Sequence, residues 1–200
     1  MRALASGRFV LPAVAVNAAV QSVLVIPAAA GGFTPLLVVG GIVSGLVMLA
    51  TFAVIVATSI DAEGRSLGAL LRTRWVAFAL WTVGLAIAVL IGLLLPTRIL
   101  GYLVLLAAVY LPIAAMSGER NPIAASLSAI AARPLAYALR GLVTVVMAVL
   151  VFLSSALLSF FVTGWIATAI AMILIGLLGW WLTRMWARAY ARARLSGSHA

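Results

Sequence analysis

Charged residues are confined to a few short stretches of this 200-residue chain, and six long runs between them carry almost no charge. No Lys occurs, and twelve of the thirteen Arg lie with all three acidic residues in four stretches. These stretches are the N-terminus (Arg2 and Arg8), residues 61–74, residues 119–140 and the end from Arg184. A helix needs about 20 apolar residues to cross a membrane, so the segregation predicts a protein with several spans.

The predicted fold class is all-α: a polytopic integral membrane protein with six transmembrane helices. We place the spans at residues 9–30, 34–59, 75–95, 98–116, 135–161 and 164–183. A mean hydropathy of +1.31 and a charged fraction of 8% exclude an ordinary soluble domain. Because the connections are short, residues 1–200 are predicted to form a single transmembrane domain.

The first apolar run has an alternative interpretation as a secretory signal peptide. It follows Arg2 and Arg8, and the alanines at 28–30 resemble a small-residue cleavage site. The run is longer than the usual apolar region of about 7–15 residues, and Asn17 and Gln21 interrupt it. We therefore predict a true span.

The Arg distribution also predicts the orientation, because short cytoplasmic loops are enriched in basic residues. Both termini and the stretches at 61–74 and 119–140 are expected on the cytoplasmic side, and the opposite connections carry only Arg98. The exclusive use of Arg favours a GC-rich bacterial source, so we predict the bacterial plasma (inner) membrane. Four tryptophans fit a cytoplasmic aromatic belt: Trp75, Trp180, Trp181 and Trp186.

The connections after spans 2 and 4 each predict a short amphipathic helix in the membrane interface. In the first, Leu67, Leu70, Leu71 and Trp75 recur at helical spacing. In the second, Asn121 is a predicted N-cap and Pro122 the first helical residue. An apolar stripe there (Ile123, Leu127, Ile130) opposes Ser126, Ser128 and Arg133, and Pro134 ends the helix.

These two connections resemble one another. Residues 74–80 and 133–139 both follow the pattern Arg, two residues, Ala, aromatic, Ala, Leu, and each connection opens with an acidic residue and an Arg. This recurrence predicts a parallel internal repeat, as some transporters have. The alternative is coincidence in a chain rich in Ala and Leu.

Within the spans, polar candidates are few. Asn17 and Gln21 stand four residues apart on one face of span 1. They predict either interhelical hydrogen bonds or a polar substrate site inside the membrane. Gly41 and Gly45, and likewise Ala15 and Ala19, have the small-residue spacing that favours close helix packing.

Anionic lipid is a predicted partner of the basic helix ends. Arg140 lies deepest, where its side chain either extends to the surface or binds a lipid phosphate. The other candidates follow span 6, and we expect this tail to lie against anionic headgroups: Arg184, Arg188, Arg192 and Arg194. A nucleic-acid partner is not predicted, because the basic residues only edge apolar segments.

No arrangement of residues predicts catalysis. The chain has no Cys and one His, His199, and it contains neither an HExxH nor a GxSxG motif. We expect no enzymatic activity, no cofactor and no metal site.

The layout resembles small six-span bacterial proteins of the YesL type. The corresponding segments are 61–80, 119–139 and the aromatic- and Arg-rich 179–194. A similar pattern occurs in YciC-type proteins and in the membrane domain of some bacterial glycerophosphodiester phosphodiesterases. The resemblance is architectural, and it implies an auxiliary membrane role.

The predicted function is therefore that of a non-catalytic accessory or scaffold subunit, which docks a membrane or cytoplasmic protein through the interfacial helices. The candidate docking residues are the charges of the two connections: Glu63, Arg65, Arg72, Glu119, Arg120 and Arg133. The alternative is a membrane subunit of a transporter, either ABC-permease-like or a substrate-binding component for vitamin uptake.

Overall fold

The computed structural model describes residues 2–28, 35–60, 67–94, 101, 104–105, 108–162 and 164–197. These residues contain seven helices and no strand, which confirms the all-α fold class. In chain order the helices are α1 (Arg2–Ala28), α2 (Pro35–Ile60), α3 (Leu67–Leu94), α4 (Leu111–Ser117), α5 (Pro122–Ala132), α6 (Pro134–Phe161) and α7 (Trp165–Gly197).

Four of these helices are long and apolar enough to cross a membrane. The qualifying segments, taken over the described residues, are Leu37–Ile60, Leu67–Leu94, Pro134–Leu158 and Trp165–Leu195. In place of the first predicted span, α1 provides a shorter apolar stretch, Arg8–Leu24. The fourth predicted span, 98–116, is described in part, at residues 101, 104–105 and 108–116, and its end forms the short helix α4. Over the described residues the structure thus shows four candidate spans, and the number of six stays a prediction.

The prediction of a separate interfacial helix after span 2 is wrong for residues 67–75. Leu67 begins α3, which continues without interruption to Leu94. No Pro lies between these residues, so nothing removes a backbone N–H or forces a break. Residues 61–66, which hold Glu63 and Arg65, lie outside the described part of the chain.

The second predicted short helix is confirmed as α5. Its N-cap Asn121 accepts a hydrogen bond from the Ala124 N–H at 3.1 Å, and Pro122 occupies the first turn. The helix ends at Ala132, and its C-cap residue Arg133, directly before Pro134, is non-helical with φ −147° and ψ 63°. Proline disfavours helical geometry in the residue before it, which explains why α5 stops directly before Arg133, as predicted. The two copies of the proposed repeat therefore differ locally, since residues 74–80 lie inside one helix.

By contacts between its residues, the chain divides into two compact units. The first comprises Met1–Thr58 and Thr144–Leu182, and the second comprises Ser59–Val143 and Thr183–Ala200. The first unit contains only two of the thirteen Arg, Arg2 and Arg8, whereas the other eleven and all three acidic residues belong to the second.

In the first unit, α1 packs against α2 and α7 around a small apolar core. Val10, Val14 and Ile55 are buried together, with Trp180 against them. A Cβ added to Gly176 would lie 2.6 Å from Val14 Cγ1, so glycine is needed where α7 approaches α1. No atom of the described residues lies within 4 Å of a Cβ built at Gly41 or Gly45, so the structure shows no close packing at the two positions where it was predicted.

In the second unit, α4 packs against both α3 and α5. Every residue from Leu111 to Met116 is buried. The helix ends at Gly118, whose φ is +83° and whose N–H donates to the Ala114 and Ala115 carbonyls. A positive φ costs little only for glycine. The guanidinium of Arg74 also lies against Gly118, since a Cβ there would be 2.5 Å from Arg74 Cζ.

Candidate functional site

Four aromatic side chains form a cluster in the second unit, which we call the aromatic cluster. Tyr110 contacts Tyr137, Trp186 and Tyr190, each with ring centroids 5.4 Å apart, and Tyr137 lies 5.1 Å from Trp186. Tyr110, Trp186 and Tyr190 are each at most 4% exposed. Tilted and edge-on ring pairs of this kind stabilise beyond simple burial, by about 0.5–1.5 kcal/mol per pair.

The cluster corrects the prediction that Trp186 belongs to an interfacial aromatic belt. Trp186 is 3% exposed and faces the cluster, whereas Trp181, five residues earlier, is 49% exposed. The two residues stand about 140° apart around the helix, so packing of one face leaves the other outside. The Tyr137 hydroxyl is buried without a hydrogen-bond partner among the described residues. Tyr137 therefore stabilises the cluster through its ring contacts with Tyr110 and Trp186.

Glu119 lies beside the cluster and contacts the end of α7. The Tyr190 hydroxyl donates to Glu119 Oε1 at 3.2 Å. Arg194 Nη2 lies 2.8 Å from Oε1 and 3.0 Å from Oε2. The Arg194 side chain is 48% exposed and that of Glu119 24%, so the ion pair alone contributes about 0.2–1 kcal/mol. Burial of the aromatic rings stabilises this part of the chain more than the ion pair does.

These contacts change the set of predicted docking residues. The carboxylate of Glu119 is already engaged within the chain. Arg72, Arg120 and Arg133 are exposed. Glu63 and Arg65 lie outside the described residues. The structure does not bring the six predicted residues into one cluster that it describes.

Helix α5 turns its larger apolar side chains outward. Ile123 and Leu127, two members of the predicted stripe, are 48% and 56% exposed. Small residues face inward instead, and Ser126, predicted on a solvated face, is 3% exposed. Its hydroxyl donates to the Pro122 carbonyl at 2.7 Å, which satisfies the buried group within its own helix. The outer face of α5 is therefore apolar between two exposed arginines, Arg120 and Arg133.

The predicted lipid-binding arginines have different surroundings. On α7, Arg188 and Arg192 are exposed, Arg184 is partly buried and Arg194 contacts Glu119. Arg140 Nη1 donates to the Ala136 carbonyl at 3.1 Å. Its guanidinium thus bends back toward the start of α6, the direction expected of a side chain that extends toward the surface.

Gln21 joins α1 to α2, and Asn17 hydrogen-bonds Gln21 within α1. Both are 7% exposed, and Gln21 Nε2 donates to Asn17 Oδ1 and to the Ser44 carbonyl, each at 3.3 Å. The Ser44 hydroxyl donates to Gln21 Oε1 at 2.8 Å. These contacts favour the predicted role in helix pairing over a substrate site.

Sequence reasoning missed Tyr110, Tyr190 and the contact of Arg74 with Gly118. The shared helix face of Trp186, Tyr190 and Arg194 could have been predicted, because these residues follow one another at intervals of four. Among the described residues, no three His, Cys, Asp or Glu side chains come together.

Where the structure describes the chain, its fold is all-α, with four helices long and apolar enough to cross a membrane. No protein-family model, curated protein or solved structure matches it. The similarity to YesL-type proteins therefore stays a prediction from the sequence pattern.

Proposed function

We propose that this chain is a non-catalytic integral membrane protein that acts as an accessory or scaffold subunit. In this proposal it has six spans, lies in the plasma membrane of a bacterium and keeps both termini in the cytoplasm. The four apolar helices support a membrane location, and the bias of Arg toward alternate connections supports the orientation.

The observation that carries the docking role is the outer face of α5. Two spans need only a short turn between them, yet this connection folds into a separate helix with a capped start and a proline stop. Its outer face presents Ile123 and Leu127 between exposed Arg120 and Arg133. Apolar contacts with basic flanks fit a partner segment with the same apolar spacing and acidic flanks.

Site-specific photo-crosslinking tests the docking role. A photoreactive amino acid in place of Leu127 should give a discrete protein adduct in native membranes. The same probe in place of Ala129, which is 3% exposed on the opposite face of α5, is the matched control and should give none. Replacing Arg120 and Arg133 by Gln should abolish the Leu127 adduct without changing the amount of folded protein.

The identity of the adduct separates the alternatives. A protein adduct that depends on both arginines supports the scaffold role, and an ATPase as that protein would favour the transporter subunit instead. Adducts with lipid alone would contradict a docking role for α5.

The orientation has its own test, made simple because the chain contains no Cys. A Cys in place of Ser128, which is exposed on α5, should resist an impermeant thiol reagent in intact cells. A Cys in place of Thr163, in a predicted outer connection, should react. Labelling at position 128 in intact cells would overturn the orientation.

A further inference from the structure

Helix α7 is longer than a membrane span. It runs unbroken for 33 residues, from Trp165 to Gly197, which corresponds to about 50 Å. Its uncharged part, Trp165–Thr183, covers about 28 Å, close to the thickness of about 30 Å of a bilayer's hydrocarbon core. Arg184 is the first charged residue after this part, so it lies at the edge of the hydrocarbon.

The aromatic cluster fixes how the last part of α7 is rotated. Trp186 and Tyr190 are buried against Tyr110. Arg188, midway between them in sequence, projects from the other side of the helix and is exposed. The same outer face carries Trp181 and Leu195, which are 49% and 69% exposed. Arg188 therefore points away from the protein.

The spacing of the arginines sets their depth. Arg188 and Arg192 follow Arg184 at about 6 Å and 12 Å along the helix, and the headgroup layer is about 5–8 Å thick on each side. Arg188 therefore lies within the headgroup layer, at the depth of the phosphates, whereas Arg192 lies beyond the layer.

We propose that Arg184 and Arg188 form a binding site for the phosphate groups of anionic phospholipids on the outer face of α7, and that Arg192 and Arg194 lie beyond it. Arg194 is in addition held by Glu119. This site narrows the predicted contact of the whole basic tail to its first two arginines, and it does not depend on the proposed docking role of α5.

The experiment compares two substitutions of the same kind on one helix face. The full chain, its Arg188→Gln variant and its Arg192→Gln variant are placed in nanodiscs of phosphatidylcholine with a minor fraction of phosphatidylglycerol. Native mass spectrometry then measures the phosphatidylglycerol retained by the released protein. We expect Arg188→Gln to lower the affinity about fivefold, equivalent to about 1 kcal/mol, and Arg192→Gln to lower it less than about twofold.

A further variant, a folding control and a competition with inorganic phosphate complete the test. Arg184→Gln should reduce retention as Arg188→Gln does, and unchanged unfolding temperatures should show that all variants are folded. Equal losses for Arg188→Gln and Arg192→Gln would mean unspecific charge attraction and would overturn the site, as would no loss for either. Displacement of phosphatidylglycerol by excess inorganic phosphate, at matched ionic strength, would indicate a soluble anion as the ligand and overturn the lipid assignment.

Discussion

The two units of the chain are stabilised by different chemistry. In the first unit, which has two Arg and no acidic residue, neutral side chains join the helices, as Gln21 of α1 does with Ser44 of α2. In the second, aromatic rings pack together and Glu119 pairs with Arg194. The difference matches the polarity of the surroundings. Amides and hydroxyls can form hydrogen bonds with one another in an apolar environment, where an unpaired charge would be costly. Surfaces rich in charge, suited to a partner or a lipid headgroup, thus belong to the second unit.

The largest predicted effect tests whether the aromatic cluster holds the second unit together. Trp186→Ala should reduce the free energy of unfolding by about 3–5 kcal/mol, since it removes a buried aromatic side chain and leaves a cavity. The matched control is Trp181→Ala, at an exposed position on the same helix, with an expected loss below about 1 kcal/mol. Unfolding of the purified protein in detergent measures both. Equal losses would show that the cluster is not the main stabilising contact.

A second prediction compares one glycine from each unit. Gly118 and Gly164 have φ values of +83° and +75°, so an alanine at either position costs about 1 kcal/mol of backbone strain. At Gly118 the new Cβ would also displace the Arg74 guanidinium, while at Gly164 no atom of the described residues lies within 4 Å of it. We expect Gly118→Ala to lose about 2 kcal/mol and Gly164→Ala about half of that. A larger loss at Gly164 would contradict the packing role of Arg74.

Local signals explain how much of the fold could be predicted. Long apolar runs predicted α2 and α6 close to their observed limits, whereas α3 begins eight residues before its predicted span and α7 ends fourteen residues after its own. Asn121, Pro122 and Pro134 predicted both ends of α5. Each of these signals acts within a few residues. The separate helix at 67–75 was wrong because amphipathic spacing does not itself end a helix, and no breaker follows it.

Contacts between distant residues were harder to predict. The spacing of small residues predicted close helix packing at Gly41 and Gly45, but the structure shows a close approach at Gly176, which lies against Val14. Many faces of an apolar helix carry such spacing, and only the arrangement of neighbouring helices selects one. Asn17 and Gln21 were recognised because polar residues are rare in such runs. Their partner Ser44, 23 residues beyond Gln21, was not.

A third prediction concerns the amide contacts of the first unit. Gln21→Met keeps the side-chain volume but removes the groups that bond Ser44 and Asn17. We expect a loss of about 0.6–1.7 kcal/mol, the range for hydrogen bonds between membrane helices. The control is Ser22→Ala, because the Ser22 hydroxyl donates to the Ala18 carbonyl of its own helix, and it should change the unfolding free energy little. A stabilising Gln21→Met would instead favour a functional role for this polar pair.

The smallest predicted effect isolates the ion pair of the second unit. A double-mutant cycle with Glu119→Gln and Arg194→Gln measures their coupling energy in the unfolding of the purified protein. Because both side chains are partly exposed, we expect about 0.2–1 kcal/mol, and added salt should lower it. The parallel cycle with Arg188→Gln in place of Arg194→Gln should give little coupling, since Arg188 projects from the other side of α7. A coupling of Glu119 with Arg194 well above this range would mean that charge pairing, and not only the aromatic cluster, holds α7 to the second unit. The units would then differ mainly in charge, and the aromatic rings would be secondary.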